Sequence, residues 1–216
     1  MGVICRLAPA VFMAVALVLF AGCEGDGGGS VDAQQDFGDN NPDLYVAMGD
    51  SITHGTGLPD KGDNYPNQLS GLLGKTVIDA GVPGDESWQG LVRMDGILRG
   101  RKPGYVLLLY GANDLISGRD AFGIKETTRA MIVKARDNKT VPVLATLTPV
   151  FGNYADLAAG VEETSAAIRE LGFEEGVRVV DLEAAFDWRA DLMTNDGVHP
   201  NEAGHKIMAE AFLGAL

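Results

Sequence analysis

The chain has 216 residues, enough for one ordinary α/β domain, and its 46% apolar against 22% charged composition argues against disorder throughout. A formal net charge of -13, with 17 Lys and Arg against 30 Asp and Glu, argues against a nucleic-acid partner, because neutralising phosphates takes clustered cations. Such an acidic balance favours solubility.

In chain order, Arg6 is followed by an uninterrupted apolar run of 15 residues, Leu7 to Ala21, and then by Gly22 and Cys23. A bilayer-spanning helix needs about 20 apolar residues, so the run is short for a span and reads as a processing segment. It resembles a bacterial lipoprotein signal, whose mature chain begins at a lipidated cysteine, here Cys23; the alternative is an ordinary secretory signal cleaved nearby. Cys5 would leave with residues 1–22, and no intramolecular disulfide would remain. Residues 24–43 hold five glycines and six acidic residues with Phe37 as the one aromatic, too little apolar surface to fold. Residues 23–43 are therefore expected to tether residues 44–216 to a membrane, with a reach of roughly 25 Å.

From Leu44 onward short β-rich runs alternate with helical patterns, which predicts a parallel sheet covered on both faces. The expected strands are Leu44 to Met48, Thr76 to Ala80, Tyr105 to Tyr110, Val141 to Thr148 and Val177 to Asp181. Helices are expected over Tyr65 to Leu73, Trp88 to Leu98, Ile124 to Ala135, Leu157 to Leu171 and Asn201 to Leu216, the last with Asn201 as its N-cap. A domain of this size buries about 70% of its unfolded surface and needs neither disulfide nor metal for a core. Reactive groups in such sheets belong at the carboxyl ends of the strands.

Gly49-Asp50-Ser51 stands at the end of the first strand. Alone it reads as readily as a turn or a helix cap, and it lacks the Gly-x-Ser-x-Gly of a nucleophile elbow. Near the other end lies Asp196-Gly197-Val198-His199-Pro200. A serine hydroxyl becomes nucleophilic when an imidazole takes its proton, and that imidazole needs a carboxylate on its far nitrogen. Asp196, three residues before His199 across a glycine turn, can reach that nitrogen. Gly84 after the second strand and Asn113 after the third offer a backbone N–H and a side-chain amide for charge growing on a carbonyl oxygen, with the Ser51 N–H as a third donor.

These four blocks, Gly49-Asp50-Ser51, Gly84, Gly111-Ala112-Asn113-Asp114 and Asp196 to Pro200, resemble those of the SGNH hydrolases, the GDSL esterase and lipase family. Val77 to Ser87, Gly90 to Arg93 and Asn153-Tyr154 are most like its thioesterase I, lysophospholipase L1 and arylesterase group, although members often carry Asn where this chain has Asp79. The resemblance implies a flavodoxin-like three-layer α/β/α sandwich with a five-stranded parallel sheet. It implies Ser51 as nucleophile, His199 as general base and acid, Asp196 as its orienter, and Ser51, Gly84 and Asn113 as oxyanion donors. A small carboxylic ester, short-chain or aryl, is the expected substrate, with thioesters, lysophospholipids and acetylated carbohydrate as further classes. A binding lipoprotein that keeps the fold without catalysis is the rival from another class.

The remaining polar and aromatic residues are assigned less. Asp50 and Asp114 are expected to hold loops, His54 to be a solvated loop residue, and His205 to sit on a helix surface. Trp88, Phe151 and Tyr154 stand near the expected pocket as packing or as acyl contacts. Scattered histidines, with no His-Glu-x-x-His, suggest neither metal nor cofactor.

Overall fold

The computed structural model describes residue 2 and residues 35–216. Apart from residue 2, the expected signal segment lies outside the described residues, as does Cys23. Asp36–Leu216 form one compact unit, so the folded part begins before Leu44. Phe37 packs its ring 5.6 Å from that of Tyr105, and the Asn40 side-chain amide donates to the Asn138 carbonyl at 2.6 Å. The end of the expected tether is thus held by a single aromatic anchor and a polar clasp that composition averaged over twenty residues conceals.

Five strands, β1 Asn41–Gly49, β2 Thr76–Gly81, β3 Pro103–Leu109, β4 Val141–Ala145 and β5 Arg178–Val180, form one parallel sheet in the order β2-β1-β3-β4-β5. The helices are α1 Ser51–His54, α2 Tyr65–Leu73, α3 Ser87–Arg101, α4 Ala112–Ile116, α5 Ala121–Asp137, α6 Ala158–Glu175, α7 Leu182–Phe186 and α8 Glu202–Ala215.

Strand residues alternate between faces, and both faces are buried. Tyr45, Ala47, Tyr105, Leu107 and Leu109 join one core with Tyr65 and Leu69 of α2, Phe186 of α7 and Phe212 of α8. Val46, Met48, Val106 and Leu108 join the other with Met94 and Leu98 of α3, Met131 and Ile132 of α5, and Ile168 and Leu171 of α6. The protein is therefore a three-layer α/β/α sandwich, as the alternation and the resemblance predict.

The five long helices and five strands fall where the periodicity places them, with Asn201 capping α8 by accepting from the Gly204 N–H at 3.0 Å. Three strands stop early, β3 by one residue at Leu109. After Ala145 the Thr146 N–H still donates to the Val180 carbonyl at 3.0 Å, while its hydroxyl donates to Asp181 at 3.2 Å and accepts from the Glu183 N–H at 3.0 Å. Asp181, expected at the end of β5, instead caps α7 by accepting from the Ala184 N–H at 3.1 Å.

His205 departs from its expected surface position. With Met208, Ala209 and Phe212 it lies on the buried stripe of α8, and its Nδ1 accepts the Tyr65 N–H at 3.1 Å. The spacing 205, 208, 209, 212 is the inward face of a helix, a signal that residue polarity masks.

Candidate active site

β1 and β3 are neighbours at the point where the strand order changes direction, and ligands of open parallel sheets bind beyond the strand ends at such a point. Ser51 follows β1, Gly84 follows β2 and Asn113 follows β3, so three of the four sequence blocks converge there by topology alone. The fourth, Asp196 to Pro200, is a turn between α7 and α8 that leans against the loop after β4.

Ser51 is the first residue of α1, where the helix itself makes no use of its N–H. Asp50 caps that helix, its Oδ1 accepting from the Ile52 N–H at 2.8 Å. The Ser51 hydroxyl lies 2.9 Å from His199 Nε2, and His199 Nδ1 lies 2.7 Å from Asp196 Oδ2. When Nδ1 carries the proton toward the carboxylate, Nε2 is left with a lone pair facing the hydroxyl. Serine, histidine and aspartate thus form one continuous line, in the order needed to move a proton off Ser51.

The turn that carries His199 is fixed by its own backbone. Asp196 Oδ1 accepts from the Val198 N–H at 2.9 Å and the His199 N–H at 3.0 Å, and the Thr194 N–H donates to the His199 carbonyl at 2.8 Å. Partial burial pulls the Asp196 carboxyl upward, but the bonds from the His199 backbone and ring, the Val198 N–H and Thr194 outweigh it. The carboxyl is held well below the usual carboxylate range. Gly197 has φ 78°, and a methyl group there would run into the Phe151 carbonyl; the Phe151 N–H in turn donates to the Gly197 carbonyl at 2.7 Å. Only glycine meets both demands.

The Asn113 side is built differently. Asn113 Nδ2 donates to Asp50 Oδ2 at 3.2 Å and to the Asp85 carbonyl at 3.0 Å. Asp85 is anchored by its N–H to the Val82 carbonyl at 3.0 Å and by Arg93 Nε to its carboxylate at 2.7 Å. Arg93 also reaches the Gly49 carbonyl at 3.0 Å and the Tyr110 hydroxyl at 2.6 Å, binding the ends of β1 and β3 to the loop after β2. Gly84, at φ 86°, is exposed in that loop. Burial pushes the Asp50 carboxyl up to about 7, with the Ile52 N–H and the nearby His199 acting in the opposite direction.

The second loop carboxylate, Asp114, is fully buried. It accepts from the Ser87 N–H at 2.8 Å, the Ser87 hydroxyl at 2.6 Å and Arg119 at 3.0 Å, joining α3 to α4 as a loop-holding residue should. His54 is not part of the Ser51–His199 line. Its ring bonds Lys61 and lies 3.7 Å from the Asp79 carboxylate, while Asp79 accepts from the Asn64 side chain at 3.0 Å and the Gly81 N–H at 2.8 Å. Trp88 donates to Glu86 at 3.2 Å with half its surface exposed, and Tyr154 packs on the core.

Sequence reasoning missed Arg93 as an anchor and Trp188 altogether. Asp187 and Trp188 both take left-handed backbone, φ 48° and 51°, which is rare for residues with side chains. Trp188 meets Phe151 edge-on, ring centres 6.2 Å apart. Its bulk directly after Phe186 and Asp187 was the available signal, but no local pattern predicts its partner.

The profile of the GDSL-like lipase/acylhydrolase family matches residues 47–207. Thioesterase 1/protease 1/lysophospholipase L1 of Escherichia coli K12 is 25% identical over 179 residues, covering 78% of this chain and 80% of that protein. An acetylxylan esterase of Geobacillus stearothermophilus is 27% identical over 198 residues, covering 77% and 90%. Among solved structures, a lipolytic protein of the G-D-S-L family from Desulfitobacterium hafniense DCB-2 shares the fold with a TM-score of 0.72 at 24% identity, over 80% of this chain and 99% of that one. With the match running from β1 into α8, the chain belongs to the GDSL-like lipase/acylhydrolase family and is a carboxylic ester hydrolase.

Proposed function

We propose that the protein is a serine esterase that cleaves small carboxylic esters through an acyl-Ser51 intermediate. The observation that carries this reading is the unbroken line Ser51 Oγ, His199 Nε2, His199 Nδ1, Asp196 Oδ2 at 2.9 and 2.7 Å. His199 takes the Ser51 proton as Oγ bonds the ester carbon, and the carbonyl electrons move onto oxygen, facing the Ser51 and Gly84 N–H groups and the Asn113 amide. Collapse of that oxyanion expels the alcohol, which receives the proton from His199. Water, deprotonated by the same imidazole, then releases the acid. Asp196, kept ionised by its hydrogen bonds, stabilises the imidazolium in both halves.

A second reading within the same chemistry is hydrolysis of O-acetyl groups on carbohydrate, favoured by the likeness to the Geobacillus acetylxylan esterase. Thioesters and lysophospholipids are the classes named by the Escherichia coli relative. The enzyme, assayed on p-nitrophenyl acetate to decanoate and on acetylated xylan, should cleave the short esters and lose that activity in Ser51→Ala. Full activity in Ser51→Ala would end the proposal, and a preference for acetylated xylan would select the second reading.

The apolar run from Leu7 to Ala21 before Cys23 supports export and lipid anchoring as part of the same proposal. Metabolic labelling with a fatty acid should mark the wild type and not Cys23→Ala.

A further inference from the structure

We propose that Asp50 is a positioning residue that aims the Asn113 amide and, through it, ties the three oxyanion donors to the nucleophile. This inference rests on the serine-esterase reading above.

Asp50 is 1% exposed and no Lys or Arg side chain bonds its carboxylate among the described residues. Burying a carboxylate without a cation is costly, and a neutral residue of the same shape would avoid that cost. What the site contains instead is two N–H donors converging on one side chain. Ile52 N–H reaches Oδ1 at 2.8 Å and Asn113 Nδ2 reaches Oδ2 at 3.2 Å. A carboxylate has two acceptor oxygens and satisfies both. An asparagine has one acceptor and one donor, so one N–H group would face another whichever way the amide is turned.

The consequence for Asn113 is geometric. Its side-chain nitrogen has two hydrogens, bonded here to Asp50 Oδ2 and to the Asp85 carbonyl at 3.0 Å; the bond to Asp50 holds the amide while the hydrogen on the Asp85 carbonyl is the one that turns to the oxyanion. Asp85 directly follows Gly84, and Asp50 directly precedes Ser51. One carboxylate and one amide therefore link the first turn of α1, the loop after β2 and the start of α4. Donor placement contributes to catalysis only when it is set before the oxyanion forms, and a buried network of this kind sets it.

Capping of α1 and aiming of Asn113 are separable by substitution. In Asp50→Ser the short hydroxyl can still cap the Ile52 N–H but cannot span to Asn113; in Asp50→Asn the shape is kept and one acceptor is lost. Measured on a p-nitrophenyl ester, both variants should lower kcat by about 10- to 10²-fold with KM changed less than about 3-fold, somewhat less than outright removal of a donor. Combining Asp50→Ser with Asn113→Ala should lower kcat no further than Asn113→Ala alone, because the carboxylate acts through the amide. Wild-type kcat in Asp50→Ser would reduce Asp50 to a helix cap and overturn the proposal. Additive losses in the double variant, or loss of the folded state in both single variants, would also overturn it. Ser51→Ala in the same series separates the two ideas: if it is inactive while the Asp50 variants are normal, only the positioning role fails.

Discussion

On the Ser51 side of the site, Asp50, Asp85 and Asp114 are almost sealed from water and are held by donors from more than one element, whereas on the His199 side Asp196 keeps 45% of its side chain exposed and is held by its own turn. The two sides solve the same problem with different physics. Buried polar groups must be satisfied together, so losing one disturbs its partners. A turn closed by Asp196 on the N–H groups of Val198 and His199 depends mainly on backbone geometry and on the surface it leans against. Oxyanion donors need a position fixed beforehand, which burial provides. The imidazole needs orientation and room to accept and return a proton, which a partly exposed turn provides.

The sharpest break in this comparison is His199→Ala. It should lower kcat by at least about 10⁴-fold while leaving the melting temperature almost unchanged, since the His199 ring is not among the core side chains. A circular-dichroism melt beside the assay checks both halves of that expectation. On the opposite side, Asn113→Ala should cost about 10² to 10³ in kcat, and a change confined to KM would remove Asn113 from oxyanion binding.

Gly197→Ala tests whether the base turn depends on backbone geometry. The added methyl meets the Phe151 carbonyl at a left-handed φ of 78°, so the turn must shift away from Ser51. The expected loss is about 10- to 10²-fold in kcat, as for a small misplacement of a reacting group. Normal kinetics in this variant would show that the contact with the loop after β4 does not position His199.

The smallest effect concerns stability and pH. His205 is buried, chiefly for that reason its pKa is lowered from 6.5 to about 4, and its Nδ1 is an acceptor only when unprotonated. The unfolded chain takes up this proton below about pH 6.5 and the folded one only below about 4. The contribution is complete above the higher value and fades as pH falls toward the lower, by about 3 kcal/mol at most. Asp50, raised to about 7, acts in the opposite sense over the same window, so the reading is a difference. Urea midpoints of wild type and His205→Asn between pH 4 and 7 should diverge most at the upper end; parallel curves would contradict the shift.

The same contrast explains what could be read beforehand. The base turn is local: Asp196, Gly197 and His199 lie within four residues, and the pattern carries its own geometry. The long helices and buried strands are legible for the same reason, through periods of 3.6 and 2. Contacts of Asp50 with Asn113, or of Arg93 with Gly49 and Tyr110, arise only when the order β2-β1-β3 sets three loops side by side. No spacing in the sequence encodes that order. His205 was hidden because polarity suggests solvent and helix phase overrules it. Phe37 was hidden because one aromatic in an acidic stretch has no periodic neighbours.

The central claim is a covalent acyl group on Ser51. Reaction with a p-nitrophenyl alkylphosphonate, which stops at the stage of the serine adduct, followed by peptide mass mapping, addresses it directly. One alkylphosphonyl group should appear on the peptide containing Ser51, with stoichiometric release of p-nitrophenol and complete loss of esterase activity. An unmodified Ser51 in fully inactivated enzyme, or modification elsewhere with the same loss, would contradict the account.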